Sequence, residues 1–319
     1  MTYLFKALIL SLLLAPAVCA QKQVAADPNK YAVIINGAGG DPAYAKQFEQ
    51  WTAELKSALL ERFAFEAKNL LVLENAKAID VRNTFAQLKS QMDANNVLFV
   101  FLIGHGSFDG KESKFNLVGP DLAASEYNTL LSALPTKRVI VLNMASASGE
   151  FIKSLSARGR IIITATKSGQ ETNATRFAGF FITALKAPDA DTDQDGHVSI
   201  LEAFVYANRL TADFYTRAGR LATEHALIDD NGDGVGREKA EAGEGLLARA
   251  TYLDSLTVDE AAASAATGRL LKERTRLEGE IEQLIGRKRT LPEAEYEATL
   301  ERLFIELAKV NRSIKQAGT

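Results

Sequence analysis

Two residues that follow apolar runs could form a hydrolytic pair. His105, one of three histidines in the chain of 319 residues, comes directly after the run 97–103 in a Gly-His-Gly turn. Ser146 follows the run 139–142, in a turn of small residues at 145–149 that reads Ala-Ser-Ala-Ser-Gly. Short unbroken apolar runs are typical of buried strands in a parallel sheet. If these strands are neighbours, the imidazole could act as a base and the hydroxyl as a nucleophile at one sheet edge.

A second group of chemically capable residues lies in 191–202, which reads DTDQDGHVSILE. This stretch satisfies a calcium-loop pattern, with oxygen donors at positions one, three, five and nine, glycine at six and glutamate at twelve. Position seven contributes its backbone carbonyl. The predicted ligands are Asp191, Asp193, Asp195, His197 through its backbone, Ser199 and Glu202. Because the clustered carboxylates repel one another without a cation, the sequence predicts a Ca²⁺ cofactor. Glu202→Gln is expected to weaken its binding and to lower Tm only when calcium is present.

A further Asp-rich turn begins at Asp229. Together with Asn231 and Asp233 it repeats the first half of a calcium loop, but position twelve is Ala240, which offers no carboxylate. Two interpretations stay open at this point. The turn is either a second, weaker metal site or an ordinary turn stabilised by Asp and Asn side chains.

The elements that must position these residues follow an α/β pattern. Apolar runs alternate with amphipathic segments over the first 218 residues, which predicts a mainly parallel sheet covered by helices on both faces. After Gly106 a hairpin excursion over the sheet edge is expected, with a strand-like piece at 115–118. Ligands of such sheets bind beyond the carboxyl ends of the strands. Five core strands are predicted, at 31–36, 69–74, 97–103, 138–142 and 159–165.

The N-terminal residues 1–20 have the layout of a cleaved secretory signal, with Lys6, an apolar run and small residues before Gln21. The protein is therefore expected to be exported, either to the periplasm or out of the cell. Cys19 is the only cysteine, so its removal would exclude disulfides, a thiolate nucleophile and thiol metal sites. A net charge of -3 without a basic cluster does not favour a nucleic-acid partner. No run after the leader has the roughly 18 apolar residues of a transmembrane segment.

The C-terminal region 258–319 is rich in Ala, Glu, Arg, Lys and Leu, and it predicts an antiparallel helical hairpin with helices at 262–289 and 293–315. Apolar residues recur there in steps of three and four, the pattern of a coiled-coil seam. The seam either closes on itself, docks on the preceding domain or binds a coiled-coil partner. The chain is thus divided into a signal peptide at 1–20, an α/β domain at 21–250 that includes the calcium loop, and the hairpin.

The two strand ends carry a resemblance to a known family. A strand ending in His-Gly and a later strand ending in Ala-Cys-x-Ser-Gly form the signature of the caspase and legumain superfamily of cysteine peptidases. Over 31–236 the chain resembles bacterial legumain-like members. The resemblance implies a caspase-like three-layer α/β sandwich with a six-stranded sheet, a general base at His105, and Ser146 where the peptidases have cysteine. It also implies a substrate pocket near the fifth strand, with the candidate residues Gly106, Thr166, Lys167, Gln170 and Glu171.

Serine at the nucleophile position leaves three functions open. A serine hydroxyl needs a base to take its proton as it attacks, and no acidic residue near His105 in sequence is an evident group to orient the imidazole. We interpret the protein as a pseudo-peptidase that binds a peptide or protein ligand at the strand ends. An active endopeptidase using Ser146 with His105 as base, and a purely structural calcium-binding protein, are the alternatives.

Overall fold

The computed structural model describes most of the α/β domain and part of the C-terminal region. The described residues are 26–194, 196–240, 244–254, 270, 273–274, 276–277, 280–281, 283–284, 287–288 and 291–317. The predicted signal peptide, the calcium ligand predicted at Asp195 and most of the first predicted hairpin helix lie outside the described residues.

A six-stranded sheet forms the core, and the predicted mainly parallel architecture is confirmed. The parallel strands are β1 (Lys30–Asn36), β2 (Leu70–Leu73), β3 (Val97–Ile103), β7 (Arg138–Asn143) and β8 (Arg160–Thr164). The order is β2-β1-β3-β7-β8-β9, in which the edge strand β9 (Leu227–Asp229) runs antiparallel to β8. β9 is the sixth strand that the resemblance implies. Its sequence overlaps the Asp-rich turn, which is why its three residues did not stand out as an apolar run.

Helices cover both faces of this sheet, giving three layers. Six of them are α1 (Pro42–Ser57), α2 (Ala78–Gln91), α3 (Ala124–Ser132), α4 (Phe151–Leu155), α5 (Phe177–Ala184) and α6 (Ile200–Arg217). Helices α1, α5 and α6 pack on one face, and α2, α3 and α4 on the other. Alternate residues of each strand point to opposite faces. In β3, for example, Phe99 and Phe101 join the first apolar cluster while Leu98 and Val100 join the second.

A small antiparallel sheet lies beside the carboxyl end of β3. It consists of β4 (Gly106–Phe108), β5 (Ser113–Phe115) and β6 (Leu122–Ala123). The predicted excursion is therefore present, although its strand lies at β5 and not at 115–118. The ring of Phe115 and the carbonyl of Asn116 pack against Gly37, where a Cβ atom would lie 2.3 Å from that carbonyl oxygen. The glycine-rich loop after β1 thus allows the hairpin to approach the sheet edge.

The C-terminal region closes on the α/β domain through α7 (Leu246–Arg249) and continues to the long helix α8 (Glu293–Ala317). The described residues between 270 and 284 are also helical. Both arms share one apolar seam, and the half-buried Leu246 packs against it. The buried seam residues are Leu277, Ile281, Leu284, Tyr296, Leu303 and Leu307. In the described part the seam therefore closes on itself and on the preceding domain. Within the part of the chain that the structure describes, no helix combines the length and apolar composition needed to cross a membrane.

Candidate functional site

The two chemically suggestive turns meet at the carboxyl edge of the sheet. β3 and β7 are direct neighbours, so the turn that carries His105 and the turn that carries Ser146 leave adjacent strands. The contact between them runs through Gly106. A Cβ atom on Gly106 would lie 2.2 Å from the carbonyl oxygen of Ser146, a distance that real side chains do not tolerate. Glycine is required here because the two backbones pass each other so closely.

His105 is held in a defined orientation. Its half-buried ring lies edge-on to the rings of Tyr44 and Phe48, with centroid distances of 4.9 and 5.0 Å. Burial lowers the pKa of His105 below its usual 6.5, and a hydrogen bond with the backbone of Gly39 acts in the opposite direction. Since that bond favours the protonated ring, a ring N–H donates to the Gly39 carbonyl. The imidazole is therefore neutral near pH 7, the form that can accept a proton.

Gly39 is the orienting group that sequence reasoning missed. The search for a third member of the site considered acidic side chains near His105 in sequence. A backbone carbonyl has no sequence signature, and Gly39 lies far from His105 in the chain, in the loop between β1 and α1. Only the fold could identify it.

The hydroxyl of Ser146 is engaged with the backbone of Gly106. Its Oγ accepts a hydrogen bond from the Gly106 N–H at 3.1 Å and donates to the Gly106 carbonyl at 3.2 Å. The residue is only 2% exposed. Among the described residues, no hydrogen bond joins this hydroxyl to the ring of His105. The proton of Ser146 therefore points to a carbonyl and not to a base.

Three N–H groups that follow Ser146 in this turn are satisfied internally. Ala147 N–H donates to the carbonyl of Glu171 at 2.7 Å, and the N–H groups of Ser148 and Gly149 donate to Thr166 Oγ1 at 2.7 and 3.1 Å. Ala147 has a φ of +52°, a left-handed conformation that costs a residue with a Cβ atom about 1 kcal/mol or more. The contact with Glu171 holds this conformation in place. These three donors are therefore not free to stabilise an oxyanion at the turn.

The predicted pocket residues after β8 divide into supporting and accessible groups. Thr166 is fully buried and its hydroxyl supports the Ser146 turn, so it does not line an open pocket. The half-buried carboxylate of Glu171 accepts hydrogen bonds from the ring of His225 at 2.5 Å and from the Lys167 N–H at 2.9 Å. Lys167 and Gln170 are exposed. Of this set, these two side chains are the ones available to a ligand.

The predicted calcium loop brings together those of its carboxylates that the structure describes. One oxygen from each of Asp191, Asp193 and Glu202 lies within 4.8 Å of the others, and the N–H of Gly196 donates to Asp191 at 2.9 Å. The Nδ1 atom of His197 lies 2.5 Å from a carboxylate oxygen of Asp254. An all-oxygen donor set of this kind fits a hard cation such as Ca²⁺.

Glu202 also caps helix α6, a role that the calcium-loop pattern did not predict. Its carboxylate accepts hydrogen bonds from the N–H and hydroxyl of Ser199, both at 2.9 Å, and from the N–H and hydroxyl of Thr192. Burial alone would raise the pKa of Glu202, but these hydrogen bonds together outweigh it and lower the pKa. Ser199 and Glu202 form a reciprocal cap at the start of α6. Removing the Glu202 charge must therefore destabilise the protein without calcium as well, contrary to the expectation from sequence.

The second Asp-rich turn acquires a third carboxylate from outside the loop pattern. Oxygens of Asp229, Asp233 and Glu244 lie within 4.8 Å of one another. The guanidinium of Arg237 binds both Asp233, at 2.7 Å, and Glu244, at 2.6 Å. Asn231 accepts the N–H of Asp233 at 2.8 Å, as in an ordinary Asx turn. Sequence reasoning missed Glu244 because it looked for a glutamate at position twelve only, and it did not anticipate a cation supplied by the chain.

Solved structures of similar fold include two proteins. Protein GSU0716 from Geobacter sulfurreducens shares 13% sequence identity and a TM-score of 0.44, and the alignment covers 63% of this chain and 93% of that one. Caspase-1 from Spodoptera frugiperda shares 13% identity and a TM-score of 0.40, over 65% of this chain and 88% of the caspase. No protein-family model matches the sequence, and no curated protein is similar to it. Both likenesses concern the fold alone.

Two variants of the predicted calcium loop separate the binding of a cation by Glu202 from its capping of helix α6. Asp193→Asn should weaken calcium binding by at least about tenfold, because it removes an anionic ligand. Glu202→Gln should do the same, and it should also lower Tm in the presence of a chelator. Calorimetric titration and thermal unfolding with and without calcium measure the two effects. Asp109→Asn, at an exposed carboxylate of the β4–β5 turn, is the control. Unchanged affinity in both loop variants would remove the metal site.

The lowered pKa of His105 predicts a pH dependence of stability. Between the pKa in the folded state and 6.5, the unfolded chain binds a proton that the folded chain does not. The free energy of unfolding should therefore fall as the pH is lowered through this window. His105→Gln should remove that part of the dependence, as measured by urea unfolding at about pH 7.5 and about pH 5. His225→Gln serves as the control. Identical pH dependence of the wild type and His105→Gln would contradict the assignment.

Proposed function

We propose that this protein is a calcium-binding, peptidase-like protein that binds peptide or protein segments at the carboxyl ends of its strands without hydrolysing them. The observation that carries the proposal is the state of Ser146. Its hydroxyl is buried and makes both of its hydrogen bonds to the backbone of Gly106. A nucleophile of this kind must instead give its proton to a base as it attacks.

The same contact also occupies a group that catalysis would need. In acyl transfer, a backbone N–H stabilises the oxyanion that forms on the substrate carbonyl. The N–H of Gly106 lies beside Ser146, but the Ser146 hydroxyl already accepts its hydrogen bond. An attacking serine would have to break two hydrogen bonds before it could act. A thiolate would need no such general base, but the chain has no cysteine other than Cys19.

The proposed ligand-binding surface consists of the exposed side chains around the Ser146 turn. Lys167 and Gln170 are exposed after β8, and Tyr44 is 39% exposed beside His105. These side chains offer an aromatic face, a cation and an amide on one rim. That combination suits a peptide segment, which presents apolar side chains and backbone carbonyls together. The loop after β8 is supported from below by Thr166 and Glu171, so the rim is preorganised.

An active endopeptidase is the second candidate, and one observation favours it. His105 is neutral near pH 7 and is oriented by Gly39. If the Ser146 hydroxyl turned from Gly106 towards His105, the freed Gly106 N–H could receive a substrate carbonyl. The serine Oγ would then bond to the carbonyl carbon as its proton passes to His105, and His105 would return that proton to the amine that leaves when the C–N bond breaks. Water, giving a proton to His105, would then attack the ester carbonyl, and the proton would return to Ser146 Oγ as the ester bond breaks.

Calcium and export complete the proposal. The calcium loop 191–202 lies between α5 and α6, two helices that pack on the same face of the sheet. Bound Ca²⁺ would neutralise the loop carboxylates and fix the start of α6. The N-terminal layout of Lys6 and an apolar run supports export, and calcium is plentiful outside the cytoplasm.

Peptide hydrolysis and binding, measured on the same samples, test this function. The wild type, Ser146→Ala and His105→Ala should all fail to cleave a mixed fluorogenic peptide library, with or without calcium. Peptides selected for binding to the wild type should bind Ser146→Ala equally well. They should bind a Lys167→Glu/Gln170→Ala variant at least about tenfold more weakly, a loss of about 1.4 kcal/mol.

The controls distinguish the two candidates. Lys89→Glu places the same charge change on an exposed part of α2 and should leave peptide binding unaltered. If the wild type cleaves a peptide and both Ser146→Ala and His105→Ala abolish this cleavage, the protein is an endopeptidase and the pseudo-peptidase proposal is refuted. Failure of every library peptide to bind would refute both and favour a purely structural calcium-binding protein.

A further inference from the structure

The segment 251–254, named here the connector, joins the α/β domain to the C-terminal helices and runs beside the calcium loop. The N–H of Ile200 donates to the Thr251 carbonyl at 2.8 Å, and Ser199 pairs with Tyr252 in an antiparallel bridge. Ser199 is position nine of the calcium loop. The connector is therefore bonded to the residues at which the loop becomes helix α6.

His197 makes the contact between the loop and the connector more specific. Position seven of a calcium loop offers its backbone carbonyl to the cation, so the proposed site gives His197 this role. Its ring Nδ1 lies 2.5 Å from a carboxylate oxygen of Asp254, and the ring lies edge-on to Tyr252 at a centroid distance of 6.0 Å. One residue of the proposed site thus contacts the connector through its side chain.

The other side of the connector is attached to the sheet and to the C-terminal helices. Lys30, at the start of β1 and only 3% exposed, donates to the Leu253 carbonyl at 2.6 Å and to the Phe63 carbonyl at 2.7 Å. The guanidinium of Arg274 donates to the Tyr252 hydroxyl and lies 5.2 Å from the centre of its ring. Arg274 is helical and buried, one helical turn before the apolar seam residue Leu277. Tyr252 therefore touches both the calcium loop and the C-terminal helices.

We infer that calcium binding controls how firmly the C-terminal helices are positioned on the α/β domain, and that His197 and Asp254 transmit the effect. This inference rests on the calcium site proposed above. Cation binding fixes the His197 carbonyl and with it the ring that contacts Asp254. Without the cation, position seven loses its ligand partner. The connector then keeps its contacts to Lys30 and to the start of α6, but the contact between Asp254 and the loop is no longer fixed.

Coupling of this kind is reciprocal. If calcium favours the docked arrangement of the helices, docking must strengthen calcium binding by the same factor. Removing the Asp254 carboxylate should therefore have two linked effects. It should uncouple the helices from the loop, and it should reduce calcium affinity by the coupling factor only, which is typically about 5-fold to 150-fold.

A distance measurement between spin labels on the full mature chain tests the coupling. Cysteines replace the exposed residues Glu49 on α1 and Glu301 on α8, in a background that lacks Cys19. With calcium the labels should give one narrow distance distribution, and with a chelator a distribution at least about twice as broad, because the Asp254 end of the connector then lacks a fixed partner in the loop. In Asp254→Ala the broad distribution should persist at saturating calcium. Asp109→Ala, which removes a carboxylate in the β4–β5 turn, should behave like the wild type.

Calorimetric titration of the same samples separates the possible failures. If the wild type binds calcium but its distance distributions are equally narrow in calcium and in chelator, the coupling is overturned and the calcium site stands. A full calcium response in Asp254→Ala would overturn the assigned role of the His197–Asp254 contact. No measurable calcium binding by the wild type would overturn the metal site and the coupling together, but it would leave the peptide-binding proposal at the strand ends unaffected.

Discussion

The close passage of two backbones at Gly106 and Ser146 is the constraint on which the site depends. Parallel pairing of β3 and β7 brings their carboxyl ends side by side, and the absence of a Cβ atom at Gly106 lets the turns touch. At this separation a serine hydroxyl reaches both the N–H and the carbonyl of Gly106. Both hydrogen-bonding functions of the Ser146 hydroxyl are thus used within the fold.

A second layer of residues keeps that edge rigid. Glu171 and Thr166 accept hydrogen bonds from the N–H groups of Ala147, Ser148 and Gly149, and Glu171 also binds His225. On the other side, Gly39 and two aromatic rings hold His105. Buried polar groups that are hydrogen-bonded specify one arrangement, because an alternative leaves donors or acceptors unsatisfied. These contacts therefore hold both turns in defined conformations.

Much of this architecture could be predicted from sequence, because buried parallel strands produce unbroken apolar runs. Five of the six sheet strands were predicted in this way. His105 and Ser146 were predicted from the turns that follow two of these runs, and Asp191, Asp193 and Glu202 from the spacing of a calcium-loop pattern. The strand β9 was not predicted, because it is three residues long and one of them is acidic. The roles of Gly39 and Glu244 were not predicted for a different reason. Gly39 acts through its backbone carbonyl, and Glu244 reaches Asp229 and Asp233 only in the folded chain, so neither role produces a local sequence pattern. The role of Thr166 was misjudged because proximity in sequence does not reveal which way a side chain points.

The second acidic turn carries its counter-charge within the polypeptide. Arg237 binds Asp233 in the turn and Glu244 just before α7. The same cation therefore joins the segment after the edge strand β9 to the segment that leads into the C-terminal helices. A single guanidinium in this way ties the last strand of the sheet to the start of the C-terminal arm.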